Sequence, residues 1–542
     1  MSGFERFDLN GRAASSREIA RRWHAFHREV RRTSSTPLAR VIGPLLGDDT
    51  LRRRAVERWR PATPEAVPTA PDEVETFPAN YVATRPAAPL DDGALEHIHL
   101  LRLAGDDPEE LLEGFHEALN STREWILVVR HDVDAELIAR LLYAHRGDAD
   151  LVFADEEGDR PGTPILKPPV VGPHTLLSYN VIGRPALLRR ETVAREGGLR
   201  REAGRAAEHD LYLRLYEAEA TFRHLPLVLA GRRDAERHHP GLAPDTQRVV
   251  AEALLRRGIT ARVATTDRPS VVQWSPLLDT WPSIDVVIPT RDRVDLLAQC
   301  VASVEASTYP NVAITILDNG SVEPATLDYL AASAHRVVDC AGPFNYAAII
   351  NQGVARCAGD FIVTLNNDTI IRTPDWLEQM VGVAALPDVA LVGVTLLDRH
   401  DVHEHDAIVI APYPQHLRRG INYLLDDEMV VSRRDVAAVT GAVQMISRER
   451  YLELAGMDEN LAVVMNDVDL CLRAQTGGRH VVVLPDVVVS HFAGSTRGRL
   501  DPLADRNYFV RRWDVFGELR DPYFPESLRL LGNTFEYRPV QD

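Results

Sequence analysis

The stretch Leu365-Asn366-Asn367-Asp368-Thr369 sets a carboxylate at the tip of an apolar run, Phe361-Ile362-Val363-Thr364-Leu365. In open α/β sheets ligands sit where strands end, so an acid there can hold a divalent cation against a bound diphosphate. Asn-Asp also simply makes turns, so this tip alone decides nothing. Two neighbouring strand ends carry related chemistry. Ile288-Pro289-Thr290-Arg291-Asp292-Arg293 places small and polar residues just before a helix start, where exposed backbone N–H groups receive anions. Asp318-Asn319-Gly320-Ser321 offers a carboxylate that can accept from a nucleobase or ribose edge. Capping and turn formation explain each of these equally well. Asp292, Asp318 and Asp368 at the ends of three strands of one sheet point instead to a shared crevice. Further on, Asn466-Asp467-Val468-Asp469 opens a helix, where the dipole and free N–H groups keep an acid ionised. Asp467 there is either a general base or a helix cap.

The elements that must position these residues are legible as alternating runs. Strands are expected at Ile284–Ile288, Ala313–Leu317, Arg336–Val338, Asp360–Leu365 and Val389–Leu397. Between them the pattern gives helices Asp295–Ser307, Pro324–Ala332, Tyr346–Cys357 and Asp375–Leu386. Such alternation predicts an α/β domain with an open, mostly parallel, doubly wound sheet. Residues 80–270 alternate in the same way: His97–Leu103, a helix near Pro108–Asn120, Trp125–Val129, a helix near Ala135–His145, and Leu151–Ala154. A linker is expected around Thr266–Pro282, and Asp398–Asp427 reads as an irregular, solvated stretch containing Asp401-Val402-His403-Glu404-His405-Asp406.

The two halves share short identities at a nearly constant spacing. Glu208-His209-Asp210-Leu211-Tyr212-Leu213-Arg214 and Asp467-Val468-Asp469-Leu470-Cys471-Leu472-Arg473 contain the same Asp-Leu-x-Leu-Arg core, 259 positions apart. Leu225-Pro226 and Leu484-Pro485 keep that spacing, and Gly198 and Gly456 differ from it by one. Such regularity suggests an internal duplication.

Composition bounds the function. At 542 residues the chain is too long for one ordinary core. A formal charge of −18 argues against general nucleic-acid binding. Cys300, Cys340, Cys357 and Cys471 form no short-spaced framework, which fits free thiols in a reducing cytoplasm. The start of the chain has no apolar signal core, and the longest apolar tract, Met380 to Leu397, is split by Pro387-Asp388, so no membrane span is expected. Residues 1–60 hold 14 arginines against seven acidic residues. In this segment Ile19, Trp23, Phe26 and Val30 make one apolar stripe on a basic helix. Residues 15–32 therefore suit either docking on the chain's own acidic body or peripheral contact with an anionic membrane surface. Prolines 61, 64, 68, 71 and 78 mark residues 61–79 as an extended linker.

Residues 283–500 resemble a family 2 glycosyltransferase with the glycosyltransferase-A fold, similar to the rhamnosyltransferase-like branch of bacterial surface-polysaccharide synthesis. The residues that carry this are V-V-I-P-T-R-D-R, L-D-N-G-S, G-P-F-N-Y-A-A-I-I-N-Q-G, L-N-N-D-T, A-V-T-G-A and N-D-V-D-L-C-L-R, in that order. The resemblance implies an inverting, metal-dependent hexosyl or deoxyhexosyl transferase. It would use a nucleoside-diphosphate sugar donor, Mg²⁺ or Mn²⁺, and a glycan or lipid-linked oligosaccharide acceptor. It implies that Pro289, Thr290 and Arg293 line the nucleotide, that Asp318 contacts the base, and that Asn345, Asn351 and Asn367 lie near the donor. Asp368 becomes the metal-binding acid of a D-x-D motif whose first position is Asn366 here, and His491 becomes a second metal ligand. Asp467 becomes the catalytic base. Asp469 either contacts the acceptor or supports its helix, and His405 stands near the acceptor.

The first half departs from that pattern. Glu208 replaces Asp467, Arg232 replaces His491, and Arg130 opens the tip Arg130-His131-Asp132 where Asn366 stands in the second half. An arginine there repels a cation. Residues 80–270 are therefore expected to be a degenerate transferase-like domain serving assembly, acceptor binding or stability, the counter-reading being a second active centre. Residues 501–542 are expected to form a helical extension. A sugar-1-phosphate nucleotidyltransferase would need a Gly-rich loop where Pro289-Thr290-Arg291-Asp292 stands. A non-catalytic glycan-binding protein would have no use for Asn466-Asp467-Val468-Asp469 and His491 together. The donor sugar, nucleobase, acceptor and linkage have no pattern in the sequence.

Overall fold

The computed structural model describes residues 93–104, 107–130, 133–157, 164–230, 237–411, 413–417, 427–492, 502–515, 519–531 and 534–537. The basic segment 1–60, the linker 61–79, His131, Asp132 and Arg232 lie outside the described residues.

Apolar runs of the first half become β1 (Ile98–Leu103), β2 (Trp125–Arg130), β3 (Leu151–Glu157), β4 (Pro164–Ile165), β5 (Ala186–Arg189) and β6 (Phe222–Ala230). They form one sheet ordered β1-β2-β5-β3-β4, with β6 also paired to β3. A separate antiparallel pair follows, β7 (Ala261–Thr265) and β8 (Val272–Pro276). The expected linker around Thr266–Pro282 is therefore partly strand. Trp274 on β8 is fully buried, which an exposed connector would not permit.

The second half contributes β9 (Ile284–Thr290), β10 (Val312–Asp318), β11 (Arg336–Asp339), β12 (Phe361–Leu365), β13 (Thr369–Ile371), β14 (Val389–Leu397) and β15 (His403–His405). After the small antiparallel pair β16 (Ile408–Ile410) and β17 (Pro414–His416) come β18 (Arg434–Val436), β19 (Val443–Ser447) and β20 (His480–His491). The main sheet runs β11-β10-β9-β12-β19-β14-β20-β13, with β15 on β14 and β18 on β20. Strands β11, β10, β9 and β12 are parallel, as expected. Beyond them β19 pairs antiparallel with both β12 and β14, and β13, β15 and β18 are also antiparallel. The sheet is thus mixed, not mostly parallel. Periodicity marks an apolar strand but carries no information about its direction, which depends on how the chain returns. The stretch expected to be irregular holds β15, β16 and β17, three short strands that sequence patterning missed.

The repeated motifs have matching structural places. The path β1-β2-β5-β3-β6 repeats the path β9-β12-β19-β14-β20, with the same order of parallel, antiparallel, antiparallel and parallel pairings. In β6 the register slips between Leu225 and Val228, and in β20 between Leu484 and Val488. Both slips begin at the Leu-Pro pair, where proline has no N–H for the ladder. Gly198 and Gly456 both take left-handed backbone, at φ 66° and 74°. Arg214 and Arg473 make equivalent bonds. Arg473 donates to Asp469 Oδ2 (2.7 Å), Leu454 O (2.8 Å) and Gly456 O (2.9 Å). Arg214 donates to Asp210 Oδ2 (3.0 Å), Glu196 O and Gly198 O (2.6 Å).

The halves are packed together. Apolar residues of both share one cluster reaching from Leu103 and Phe115 through Trp274 to Val482 and Phe524, while Ile98, Trp125 and Leu142 belong to a second cluster within the first half. The short helix Pro173–Ser178 lies on β18. Asp435 Oδ2 accepts from the N–H groups of His174 and Thr175, both at 3.0 Å, and Ser178 Oγ donates to Arg433 O at 2.7 Å. Residues beyond 501 form the helix Leu503–Trp513 and then a strand pair, Leu528–Leu531 with Thr534–Tyr537, so the expected helical extension is only half helical.

Arg473→Ala should cost about 3 kcal/mol, because it strips the fully buried Asp469 of its principal ion pair. Arg214→Ala should cost a similar amount through Asp210. Thermal melting of the two variants checks both values.

Candidate active site

Strands β9, β10 and β12 end side by side. Leu317 is in register with Pro289, and Asp318 with Thr290. Asn367 Nδ2 donates to Thr290 Oγ1 at 3.0 Å, tying the tip after β12 to the end of β9. Asp292 Oδ1 accepts from Val322 N (2.7 Å) and Glu323 N (2.8 Å), which joins the first two βα turns and holds its carboxyl below the usual range. Asp318 takes Ser321 N (3.0 Å) and Ser321 Oγ (2.6 Å) on Oδ1 alone. Pro289, Thr290, Asp318, Asn367 and Asp368 thus meet at one sheet edge. Arg293 stands on the rim, ion-paired with Asp295 at 2.8 Å and raised mainly by that hydrogen bond, with Asp368 adding to the field.

Asp368 is buried on the tip between β12 and β13, where its carbonyl accepts from Phe492 N at 2.9 Å. Antiparallel pairing of β13 with β20 sets Thr369 opposite His491. The His491 Nε2 atom lies 3.4 Å from Asp368 Oδ1, and its Nδ1 lies 3.2 Å from Glu404 Oε2. Burial pushes the imidazole down, but the carboxylates of Asp368 and Glu404 outweigh it and carry it to about 9. The sequence gives Glu404 no metal-site role, because the Asp401–Asp406 cluster reads as solvated loop or acceptor-site material. Its strand alternation is the signal that could have found it: Glu404 reaches His491, while His405 turns inward.

Asp467 is in the first turn of the helix Asn466–Ala474. Its Oδ2 accepts from Gly441 N and its Oδ1 from Val468 N, both at 2.9 Å. Gly441 belongs to the Thr440-Gly441-Ala442 loop, and Ala442 O accepts from Asn366 N at 3.0 Å. One short loop therefore joins the helix start to the tip that bears Asp368. The preceding residue but one, Met465, has φ 66°, and Asp292 and Arg293 have φ 55° and 54°. Left-handed backbone in non-glycine residues costs energy, and these three flank the site.

Other expected site residues have structural duties. Asn351 donates to Met457 O and Glu459 Oε1 and accepts from Tyr451 Oη and Met457 N. That uses the whole capacity of an amide, so Asn351 has nothing left for a donor nucleotide. Asn345 caps the helix Tyr346–Val354 through Ala348 N and donates to Glu459 O. Asp469 is fully buried and receives Arg473, Trp513 Nε1 (3.0 Å) and Arg512, so it supports its helix and is closed to an acceptor. His405 is also fully buried, with Nδ1 2.9 Å from His416 Nδ1 and Nε2 accepting from Thr440 N at 3.3 Å. It braces the Thr440–Ala442 loop from behind, and no acceptor reaches it.

In the first half the equivalent position is held in an ion pair. Glu208 is gripped by Arg184, with Nε to Oε1 at 3.0 Å and Nη2 to Oε2 at 2.6 Å. A cavity of about 80 Å³ beside it is lined by Asn180, Arg184, Glu208, His209 and Arg237, with Glu428 from the second half.

A third set of titratable groups lies elsewhere. His174, Asp435 and His480 bring ligand atoms within 4.8 Å of one another. His480 and His491 are opposite ends of the twelve-residue β20, which spans roughly 35 Å. That cluster is therefore not part of the Asp368 site. All four cysteines are buried and unbridged. No helix among the described residues is long and apolar enough to cross a membrane.

Residues 285–440 match the glycosyl transferase family 2 model, so the second half carries a glycosyltransferase domain of that family. The O-antigen biosynthesis protein RfbC of Myxococcus xanthus is 31% identical over 421 residues, covering 72% of this chain and 32% of that protein. The uncharacterized protein y4gI of Sinorhizobium fredii is 28% identical over 555 residues, covering 93% of this chain and 59% of that protein. The chain thus spans about a third and about three-fifths of these curated relatives. Among solved structures, the mannosyltransferase PcManGT from Pyrobaculum calidifontis in complex with GDP-Man and Mn²⁺ is 18% identical, at a TM-score of 0.31. It covers 43% of this chain, which spans 61% of it.

Asn351→Ala should lower stability by about 1–3 kcal/mol by orphaning Tyr451 and the backbone of Met457, with nucleotide-sugar affinity unchanged. Thermal melting and calorimetric titration of the donor check the two halves of that statement.

Proposed function

We propose that this chain is an inverting glycosyltransferase that moves a hexosyl or deoxyhexosyl group from a nucleoside-diphosphate sugar to a glycan or lipid-linked oligosaccharide hydroxyl. The reading rests on one observation above all. The loop Thr440–Ala442 hydrogen-bonds both to Asp467 and to Asn366, so an acid suited to proton acceptance stands beside an acid suited to metal binding.

The donor's diphosphate would lie over the ends of β9 and β12, near Pro289, Thr290, Arg293 and Asn367. Asp318, whose hydrogen bonds fall on one oxygen, would accept from the base or ribose with the other. One carboxylate and one imidazole 3.4 Å apart fit a single cation, whose ligands at about 2.0–2.2 Å stand roughly 3 Å from each other. A divalent cation held by Asp368 and His491 would offset the charge that grows on the leaving diphosphate. An imidazole ligand favours Mn²⁺ over Mg²⁺, which prefers oxygen throughout. Glu404 would fix the His491 ring so that Nε2 faces Asp368, a carboxylate–histidine arrangement that orients ligands. Asp467 would take the acceptor hydroxyl proton as the new C–O bond forms, its oxygens aimed by Gly441 N and Val468 N. The first half, with Glu208 held by Arg184, would be a degenerate copy that supports the catalytic half. The likeness to RfbC, an O-antigen biosynthesis protein, favours surface polysaccharide as the product, with the rhamnosyltransferase-like branch as the nearest reading.

A panel of nucleotide-sugars with Mn²⁺, read by nucleotide release, tests this. Asp467→Asn should cut turnover about 10²–10⁴-fold while donor affinity holds. His491→Ala should weaken Mn²⁺-dependent donor binding about 10–100-fold, and Glu404→Gln should weaken it less. Equal activity of Asp467→Asn and the parent would reject Asp467 as the base, and an Asp132→Ala variant with a lost transfer step would reject a silent first half.

A further inference from the structure

The buried group at the far end of β20 joins the two halves. His174 starts the helix Pro173–Ser178 of the first half, while Asp435 on β18 and His480 at the start of β20 belong to the second. His174 Nδ1 is 2.7 Å from Asp435 Oδ1, and His480 Nδ1 is 3.4 Å from the same oxygen. Tyr523 Oη is 3.0 Å from His480 Nδ1. Two imidazole nitrogens and a carboxylate oxygen thus converge between the halves, with a phenol oxygen beside His480. The side chains of His174 and Asp435 are almost entirely buried, and His174 stacks on Trp274 with ring centroids 5.8 Å apart.

The surroundings orient these groups. Asp435 Oδ2 is fixed by His174 N, Thr175 N and Thr175 Oγ1, at 3.0, 3.0 and 3.1 Å, so that Oδ1 faces the histidines. The outer nitrogen of His174, Nε2, is 3.6 Å from Asp388 Oδ2. A carboxylate behind the outer nitrogen of a histidine is the arrangement that steadies a metal-bound imidazole. A Cβ on Gly172 would fall 2.0 Å from Asp435 Oδ2, so the backbone closes tightly around the carboxylate.

We infer that His174, Asp435 and His480 form a structural zinc site that staples the two halves together, with Tyr523 or a water as fourth ligand. Two histidines and one carboxylate in a largely buried setting suit Zn²⁺ and are a poor set for Mg²⁺ or Ca²⁺. Binding displaces whatever protons the two imidazoles hold on their inner nitrogens, so it releases protons to solvent. The separation along β20 makes this site independent of the Asp368–His491 pair and of the transfer reaction.

The full-length chain, loaded with zinc and dialysed, should retain one equivalent by elemental analysis. An Asp368→Ala variant should retain it as well, and His480→Ala should lose it. Cobalt substitution should give the visible spectrum of a four-coordinate ion in the parent and not in His480→Ala. Stripping the parent with a chelator should lower its melting temperature by several degrees, restored by zinc, which tests the staple even if His480→Ala folds poorly. A parent that holds no zinc and melts alike with and without chelator would overturn the inference. So would zinc lost on Asp368→Ala but kept on His480→Ala.

Discussion

The hydrogen bond from Gly441 N to Asp467 is the contact on which the rest of the site depends. It forms because residue 441 has no side chain: a Cβ there would stand 3.2 Å from Asp467 Cβ, tighter than most packed contacts. The close approach lets the helix Asn466–Ala474 abut the loop that enters β19, and that loop is bonded to the tip bearing Asp368. Everything behind these residues serves to keep that loop still. His405 supports Thr440 N, Tyr346 Oη and Thr364 Oγ1 both donate to Gly441 O, and Gln444 holds Val439 O. The carboxylates are thereby positioned by a rigid sheet, and the charges need not organise themselves.

Much of the second half was legible in the sequence because its strands are apolar runs that alternate with helices of regular length. The helix expected at Pro324–Ala332 and the strand expected at Val389–Leu397 have those bounds in the structure. Asp318 and Asp368 were legible as strand ends. What failed was information that local pattern does not hold. The direction of β19 depends on a return path, and the short strands of 403–416 are too brief for a period to emerge. Asn351 and Asp469 mark another limit: an amide and an acid near a motif look the same in sequence whether they face a ligand or a neighbouring turn. Only their partners, Met457 and Tyr451 for one and Arg473 and Trp513 for the other, separate the cases.

The repeat was visible in sequence through a few residues that define geometry. The Leu-Pro pairs make the same register slip, the two left-handed glycines end the same turn, and the two arginines tie the same helix back to it. The residues that differ are those facing the cleft: Glu208 for Asp467, and Arg184 in the loop that enters β5. The strand order and its joints are shared while these residues are not, since a fold does not by itself fix the chemistry of a site.

The shared path of strands also has an end. In the catalytic half β9 is followed outward by β10 and β11, and β10 carries Asp318 at its tip. In the first half the sheet stops at β1, with no further strand beyond it among the described residues. Among the described residues the first half therefore has no counterpart of Asp318, the acid that β10 brings alongside Thr290.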